Sequence, residues 1–187
     1  GTEFYIPFSH VDLKASDLLI FRVGQFVVPI GAFNEYQYPD FLRKTVGSPI
    51  AMREIVPALW SDVGIEVRGK AVGERGRAVN YAVFAVNGLE HKDPDPSDDA
   101  VPEGGAIRAM RRSARDKTSS NKAVGGRLGA TLAENADVGL SGYTGAYTAD
   151  GERRLTILDA DLALHRFSFT LRAEGAVWAG ADGFALI

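Results

Sequence analysis

Apolar and polar residues alternate along several long stretches of this chain. The clearest stretch covers residues 62–72, in which Val63, Ile65 and Val67 alternate with charged residues and glycines. A period of two places successive side chains on opposite faces of a β-strand, so this pattern predicts strands with one apolar face. It recurs along the chain and predicts eight strands, at about residues 3–14, 18–29, 62–72, 78–88, 122–133, 137–148, 154–165 and 167–179.

The predicted strands are long. Most cover about 11 or 12 residues, whereas strands of globular proteins usually have about 5–6 and a tilted strand that crosses a bilayer needs about 9–11. No run of about 18 apolar residues is present, so the sequence predicts no transmembrane helix. The alternation is compatible with a soluble all-β protein and with a membrane β-barrel, and the strand length favours the barrel.

Short and long connections alternate between the predicted strands. Tight turns are predicted at about residues 15–17, 73–77, 134–136 and 165–167. Longer connections are predicted at about residues 30–61, 89–121 and 149–153. Outer-membrane barrels have this arrangement, with short periplasmic turns and longer extracellular loops. The connections therefore predict an antiparallel transmembrane β-barrel.

The same alternation places both ends of the chain on the extracellular side. Since a complete single-chain barrel normally begins and ends in the periplasm, we expect an interior part of a larger barrel. Residues 180–187 predict a turn and the start of a ninth strand. No linker divides the chain, so residues 1–187 are predicted to form one barrel segment.

Several motifs resemble the phosphate-selective porins (O and P). Residues 22–31, RVGQFVVPIG, are similar to the R-x-G-Q-F-x-x-P-F-G hairpin of that family, and residues 81–88, YAVFAVNG, to one of its strand ends. Residues 52–54, MRE, reorder its M-E-R triplet. The resemblance implies a porin of about sixteen to eighteen strands in the bacterial outer membrane. It also implies a homotrimer, contacts with lipid and lipopolysaccharide, and a preference for phosphate.

The polar face of the predicted strands carries charges of both signs. Charged side chains on a pore wall set its ion preference. The acidic residues and histidine of this face are Glu66, Asp159, Asp161, His165 and Glu174. As a hypothesis, we assign anion selectivity to its basic residues, Arg22, Arg68, Lys70, Arg127 and Arg172. The alternative is that these side chains are solvated and pair across strands.

Four further arginines lie at i, i+3, i+4 and i+7, which is one face of a helix. They are Arg108, Arg111, Arg112 and Arg115. Inside the lumen they would form an electropositive constriction for phosphate or carboxylate solutes, because arginine offers two donors to such oxyanions. Outside the lumen they would be solvated or bind the phosphates of lipopolysaccharide.

Aromatic residues suggest two further contacts. The connection at residues 30–61 is rich in proline and aromatic residues, and we expect it either to fold into the barrel as a constriction or to contact another subunit. Four aromatic residues lie near predicted strand ends, where an aromatic girdle or ordinary core packing would place them. They are Trp60, Tyr143, Tyr147 and Trp178.

Composition argues against several other functions. The absence of cysteine excludes disulfides, thiol catalysis and thiolate metal sites, and a net charge of −3 argues against a general nucleic-acid binder. Neither the acidic run at residues 93–103 nor the three histidines have metal-ligand spacing, and recognisable catalytic motifs are absent. We therefore expect no enzyme and no cofactor.

The sequence as a whole predicts a porin for passive diffusion of small hydrophilic solutes, with a preference for anions such as phosphate. One alternative is a soluble or surface all-β binding module. Another is a plugged barrel that acts as a scaffold in an envelope complex.

Overall fold

The computed structural model shows one antiparallel sheet of nine strands, each paired with its neighbours in the sequence. The described residues are 8–34, 60–90, 110, 121–133, 135–148, 150–166, 169–180 and 183–186. The strands are β1 (Ser9–Ser16), β2 (Leu19–Val27), β3 (Ser61–Val72), β4 (Ala78–Val86), β5 (Ala123–Ala133), β6 (Ala136–Ala146), β7 (Arg154–Arg166), β8 (Phe169–Gly180) and β9 (Gly183–Leu186). The predicted all-β antiparallel fold is confirmed. Strands β1 and β9 form the two edges of the described sheet.

The first turn begins two residues later than the sequence predicted, at Asp17. Pairing of β1 with β2 continues to Ser16 and Leu19 through an irregularity after Lys14. The Lys14 ammonium then lies 2.6 Å from the carboxylate of Asp17, and this hydrogen bond lowers the pKa of Asp17. The backbone carbonyl of Asp17 also accepts the N–H of Lys70. These contacts extend β1 at the expense of the predicted turn.

One face of the sheet, here called the outer face, is apolar and exposed. Residues directly opposite each other on neighbouring strands share a face, as Phe21 and Val67 do across β2 and β3. Each long strand contributes at least one large apolar side chain to this face, with 37–64% of its surface exposed. Representative members are Val11, Phe21, Ile65, Val83, Leu128, Leu140, Leu158 and Leu171.

The opposite face, here called the inner face, carries charged residues and an apolar core. The core lies at the strand ends next to the long connections. Its largest fully buried apolar members are Trp60, Phe26, Ile30, Leu89 and Ile157. Buried charged residues share this face, among them Glu66, Arg127 and Asp159. The sheet therefore places most of its charged side chains on the inner face and most of its exposed aliphatic side chains on the outer face.

The sheet bends strongly around residues 28–34, here called the strap. The backbone N–H of Gly31 donates to Ser141 Oγ on β6 at 2.9 Å, and that of Phe33 donates to Glu174 Oε2 on β8 at 3.1 Å. In a flat sheet, β2 and β8 would lie about 29 Å apart. The five residue-to-residue steps from Val28 to Phe33 reach at most about 18 Å. Because even a glutamate side chain cannot bridge the difference, the inner face must be concave.

Candidate functional site

The inner face collects the charged residues of the predicted polar wall. The β-register places five of the predicted basic residues on this face. They are Arg22, Arg68, Lys70, Arg127 and Arg172. The other four, Arg108, Arg111, Arg112 and Arg115, lie outside the described residues, so their predicted helix is not part of the site described below.

A row of alternating charges crosses the first three strands. Arg22 donates from Nε and Nη2 to the two carboxylate oxygens of Asp12, at 2.7 and 2.8 Å. Its Nη1 lies 3.5 Å from Glu66, and Arg68 approaches the same carboxylate to 3.3 Å. Glu66 is therefore held between two guanidinium groups, which explains how its fully buried side chain can stay in the sheet.

A second ion pair links β5 to β7 across the strand between them. Arg127 donates to both carboxylate oxygens of Asp161, at 2.6 and 3.0 Å. The intervening residue on β6 is Gly139, which pairs directly with Asp161. A Cβ atom at Gly139 would overlap both charged groups. Glycine at this position leaves the room that the ion pair needs.

Two acceptors on the inner face hold the strap. Ser141 Oγ accepts the N–H of Gly31 and donates to Asp159 Oδ1 at 3.3 Å. Glu174 on β8 accepts the N–H of Phe33. Gly31 has a φ of 69°, a conformation that glycine adopts readily. The alternation placed Asp159 and Glu174 on the polar wall, but nothing local in the sequence predicts a contact with the strap.

Asn34 joins the two ends of the connection between β2 and β3. Its side chain is fully buried. Its Nδ2 donates to the backbone carbonyls of Val28 and Trp60, at 2.8 and 3.3 Å, and its Oδ1 accepts the N–H of Trp60 at 3.0 Å. One amide side chain thus closes the base of this connection.

The connection after β4 also begins on the inner face. The N–H of Gly88 donates to Asp62 at 2.6 Å, and the N–H of Leu89 donates to the hydroxyl of Tyr143 at 3.0 Å. Glu90 then donates its N–H to the carbonyl of Met110 at 2.8 Å. The described parts of both long connections therefore fold against the concave side of the sheet. Residues 35–59 lie outside the described residues, so the constriction and the subunit contact expected for residues 30–61 both stay predictions.

The aromatic girdle interpretation is wrong for the four residues that suggested it. The rings of Trp60 and Tyr143 lie 4.9 Å apart in an edge-to-face arrangement and are almost fully buried in the core. Tyr147 and Trp178 pack against that core. Ordinary core packing explains all four, because their side chains belong to the inner-face core and not to the outer face.

The described ion pairs divide the wall into two regions. Arg22, Arg68 and Arg127 are neutralised by carboxylates. Lys70 and Arg172, nearer the short turns, are exposed and make no ion pair with a described residue. The uncompensated basic charge of the described wall therefore lies toward its short-turn end.

The described residues offer little to a metal. No three of their histidine, aspartate and glutamate side chains are arranged to hold a metal ion. His165 lies 3.5 Å from the exposed carboxylate of Asp137, whereas His91 and the acidic run at residues 93–103 lie outside the described residues. Within the described part of the chain, no helix has the length and hydropathy of a transmembrane helix.

Comparison with known proteins gives one distant relative. The chain is 26% identical over 151 residues to an uncharacterized protein of Aquifex aeolicus (strain VF5), and the match covers 80% of this chain and 32% of that protein. The chain thus spans about a third of the length of the curated relative that it matches. No family model and no solved structure matches the chain. The resemblance to phosphate-selective porins stays a prediction.

Proposed function

We propose that this chain forms part of an outer-membrane β-barrel that lets small hydrophilic solutes diffuse passively, as porins do. A single observation carries the proposal. The sheet has charged residues on its concave face and aliphatic residues on its convex face, which is the reverse of the arrangement in a soluble protein. Transmembrane barrels have this arrangement, since lipid surrounds them and water fills them. A soluble sandwich would instead need a second layer to cover the outer face.

The position of charges on the outer face supports a lipid contact. Among the outer-face residues of β1–β8, only Arg154 and Arg166 are charged, and they lie at the two ends of β7. Their separation of about 40 Å along the strand corresponds to about 28 Å across a bilayer for a strand tilted by about 45°. This distance agrees with the hydrocarbon thickness of a membrane of about 30 Å. The two arginines would then lie at its two surfaces.

The inner face supplies a polar pathway. Solutes would follow their concentration gradient along the wall, and the strap would narrow the opening. The exposed charges of Lys70 and Arg172 would attract anions such as phosphate at the short-turn end. We place that end in the periplasm and the long connections outside the cell. No step in this mechanism needs a cofactor or a catalytic group.

Further strands are needed to complete the pore. The relative is about three times as long as the region that it shares with this chain. We propose that strands beyond β1 and β9 close a barrel of about sixteen to eighteen strands, which assembles as a homotrimer in the bacterial outer membrane and contacts lipopolysaccharide.

The experiment is a planar-bilayer recording of the detergent-extracted protein, with the reversal potential measured in a salt gradient. We expect discrete conductance steps and a preference for anions that weakens in K70Q and R172Q. Steps with the same selectivity in both variants would contradict their proposed role. A protein that remains soluble without detergent and never inserts would refute the membrane proposal and favour a soluble binding module.

A plugged barrel is the second candidate, and a specific observation favours it. The strap, Leu89 and Met110 fill the concave side at the end next to the long connections. If they occlude the lumen, the protein acts as a scaffold in the envelope. Insertion into bilayers without any conductance step would support this candidate over the porin.

A further inference from the structure

A shallow groove of about 320 Å³ opens near the short-turn end of β7 and β8. It is lined by Asn135, Leu164, His165, Arg166, Phe169 and Leu171. None of these residues belongs to the basic set assigned to the pore wall, although His165 lies on the inner face. The leucines, Arg166 and Phe169 lie on the outer face, so the groove opens mainly on the side opposite the proposed pathway for solutes.

Two cross-strand pairs form the floor of this groove. Leu164 pairs with Leu171, and Arg166 pairs with Phe169, so all four side chains lie on the outer face. The N–H of His165 donates to the carbonyl of Asn135 at 2.9 Å, which holds the β5–β6 turn against the end of β7. The turn supplies one side of the groove and the two pairs supply its floor.

The groove combines exposed apolar surface with a cation. Phe169 is 80% exposed and Leu171 is 63% exposed, and both line the groove together with Arg166, which is also an exposed residue. Arg166 is also the outer-face charge at the short-turn surface of the bilayer, according to the proposed function. An apolar floor below a guanidinium matches the two parts of a phospholipid, because arginine offers two donors to a phosphate and aliphatic chains pack on leucine and phenylalanine.

We propose that this groove binds one glycerophospholipid, with the lipid phosphate on Arg166 and an acyl chain across Leu164, Phe169 and Leu171. The inference rests on the proposed membrane location. It adds a lipid site of defined chemistry to a surface that would otherwise contact bulk lipid.

Native mass spectrometry of the detergent-solubilised protein tests the proposal. The probes are phosphatidylglycerol and a diacylglycerol with the same acyl chains but no phosphate. We expect one phosphatidylglycerol to be retained per chain, with a preference of about tenfold or more over diacylglycerol. R166Q should lose this preference. R77Q, which removes a guanidinium from the β3–β4 turn at the same end of the sheet, should keep it.

A second variant tests the apolar floor. F169S should reduce retention of both lipids, because it removes the most exposed apolar side chain of the groove. Equal retention of the two lipids by the unmodified protein, or unchanged preference in R166Q, would overturn the proposal. Displacement of the lipid by millimolar inorganic phosphate would overturn the role of the acyl chain. A protein that conducts but retains no lipid refutes this inference alone, whereas one that never enters a bilayer refutes the proposed function.

Discussion

Arg127 and Asp161 form a two-point ion pair that crosses the full width of strand β6 above Gly139. Both side chains are at least nine-tenths buried. The pair connects β5 to β7, which are not neighbours in the sheet, so it helps to hold the curvature of the sheet. It also leaves no net charge at this point of the inner face.

Gly139→Ala should therefore destabilise the protein. The added methyl group would displace the guanidinium from the carboxylate and leave two buried charges without their partner, which costs about 3–5 kcal/mol. The measurement is the free energy of unfolding by urea in detergent. Gly142→Ala on the same strand is the matched control, because a Cβ there closely approaches only the flexible end of Leu158, at 3.3 Å, and lies at an ordinary contact distance of 3.9 Å from the Ile157 carbonyl. Equal stability of the two variants would show that the ion pair does not need the space above Gly139.

The strap should loosen when its acceptors are removed. Glu174→Ala deletes the carboxyl oxygen that accepts the Phe33 N–H, and leaving a buried donor without its acceptor costs about 1–3 kcal/mol. We expect the population of displaced strap to rise about tenfold or more, which single-channel recording would detect as additional conductance levels. Glu174→Gln keeps an acceptor oxygen and should restore most of the original behaviour. Thr170→Val, on the same face of β8, is the control, and identical records from it and Glu174→Ala would contradict the proposed role.

Much of this sheet could be predicted from the sequence because strand periodicity is local. A period of two determines which side chains share a face, so it predicts that Arg22, Arg68 and Lys70 lie together, and the strand pairing places them on one face. Strand length and the alternation of short and long connections likewise depend only on neighbouring residues. For the eight strands, most of the predicted ends therefore lie within a few residues of the ends in the structure.

The contacts of the strap could not be predicted in the same way. Gly31 and Ser141 are 110 residues apart, and Phe33 and Glu174 are 141 apart. Such contacts depend on the curvature of the complete sheet, which no local pattern encodes. The same reason explains the error about Trp60 and Tyr143, whose positions near strand ends resemble a girdle until the strap and the β4 connection are seen to bury them.

Asn34→Ala should destabilise the base of the connection between β2 and β3. The substitution leaves the backbone N–H of Trp60 without the Asn34 acceptor, and the carbonyl of Val28 loses a donor, in a fully buried position. We expect a loss of about 2–3 kcal/mol in the free energy of unfolding. Asn87→Ala, which removes only an exposed hydrogen bond to Lys122, should lose far less. A small effect at Asn34 would mean that other contacts close this connection.

A charge at the middle of the outer face should prevent membrane insertion. Leu140 pairs with Ala160, which lies midway between Arg154 and Arg166 on β7. Leu140→Lys should therefore cost about 2–4 kcal/mol in a bilayer, whereas Val124→Lys, at the level of Thr156 near one surface, should cost about 0–1 kcal/mol. Both costs can be measured from the folding of the two variants into lipid vesicles, with the heat-dependent shift of the protein band on gels as the readout. In a soluble protein these two exposed positions would tolerate lysine equally well.

We propose that the inner face lines a water-filled pore and that the outer face contacts lipid. Because the chain has no cysteine, single cysteines can be placed at Lys70 on the inner face and at Leu128 on the outer face and exposed to a charged, membrane-impermeant thiol reagent during bilayer recording. We predict that the current falls when Lys70→Cys is modified and does not change for Leu128→Cys, which lipid shields. An unchanged current from Lys70→Cys despite complete labelling would show that Lys70 does not line the pore, and rapid labelling of Leu128→Cys in the bilayer would show that lipid does not cover the outer face.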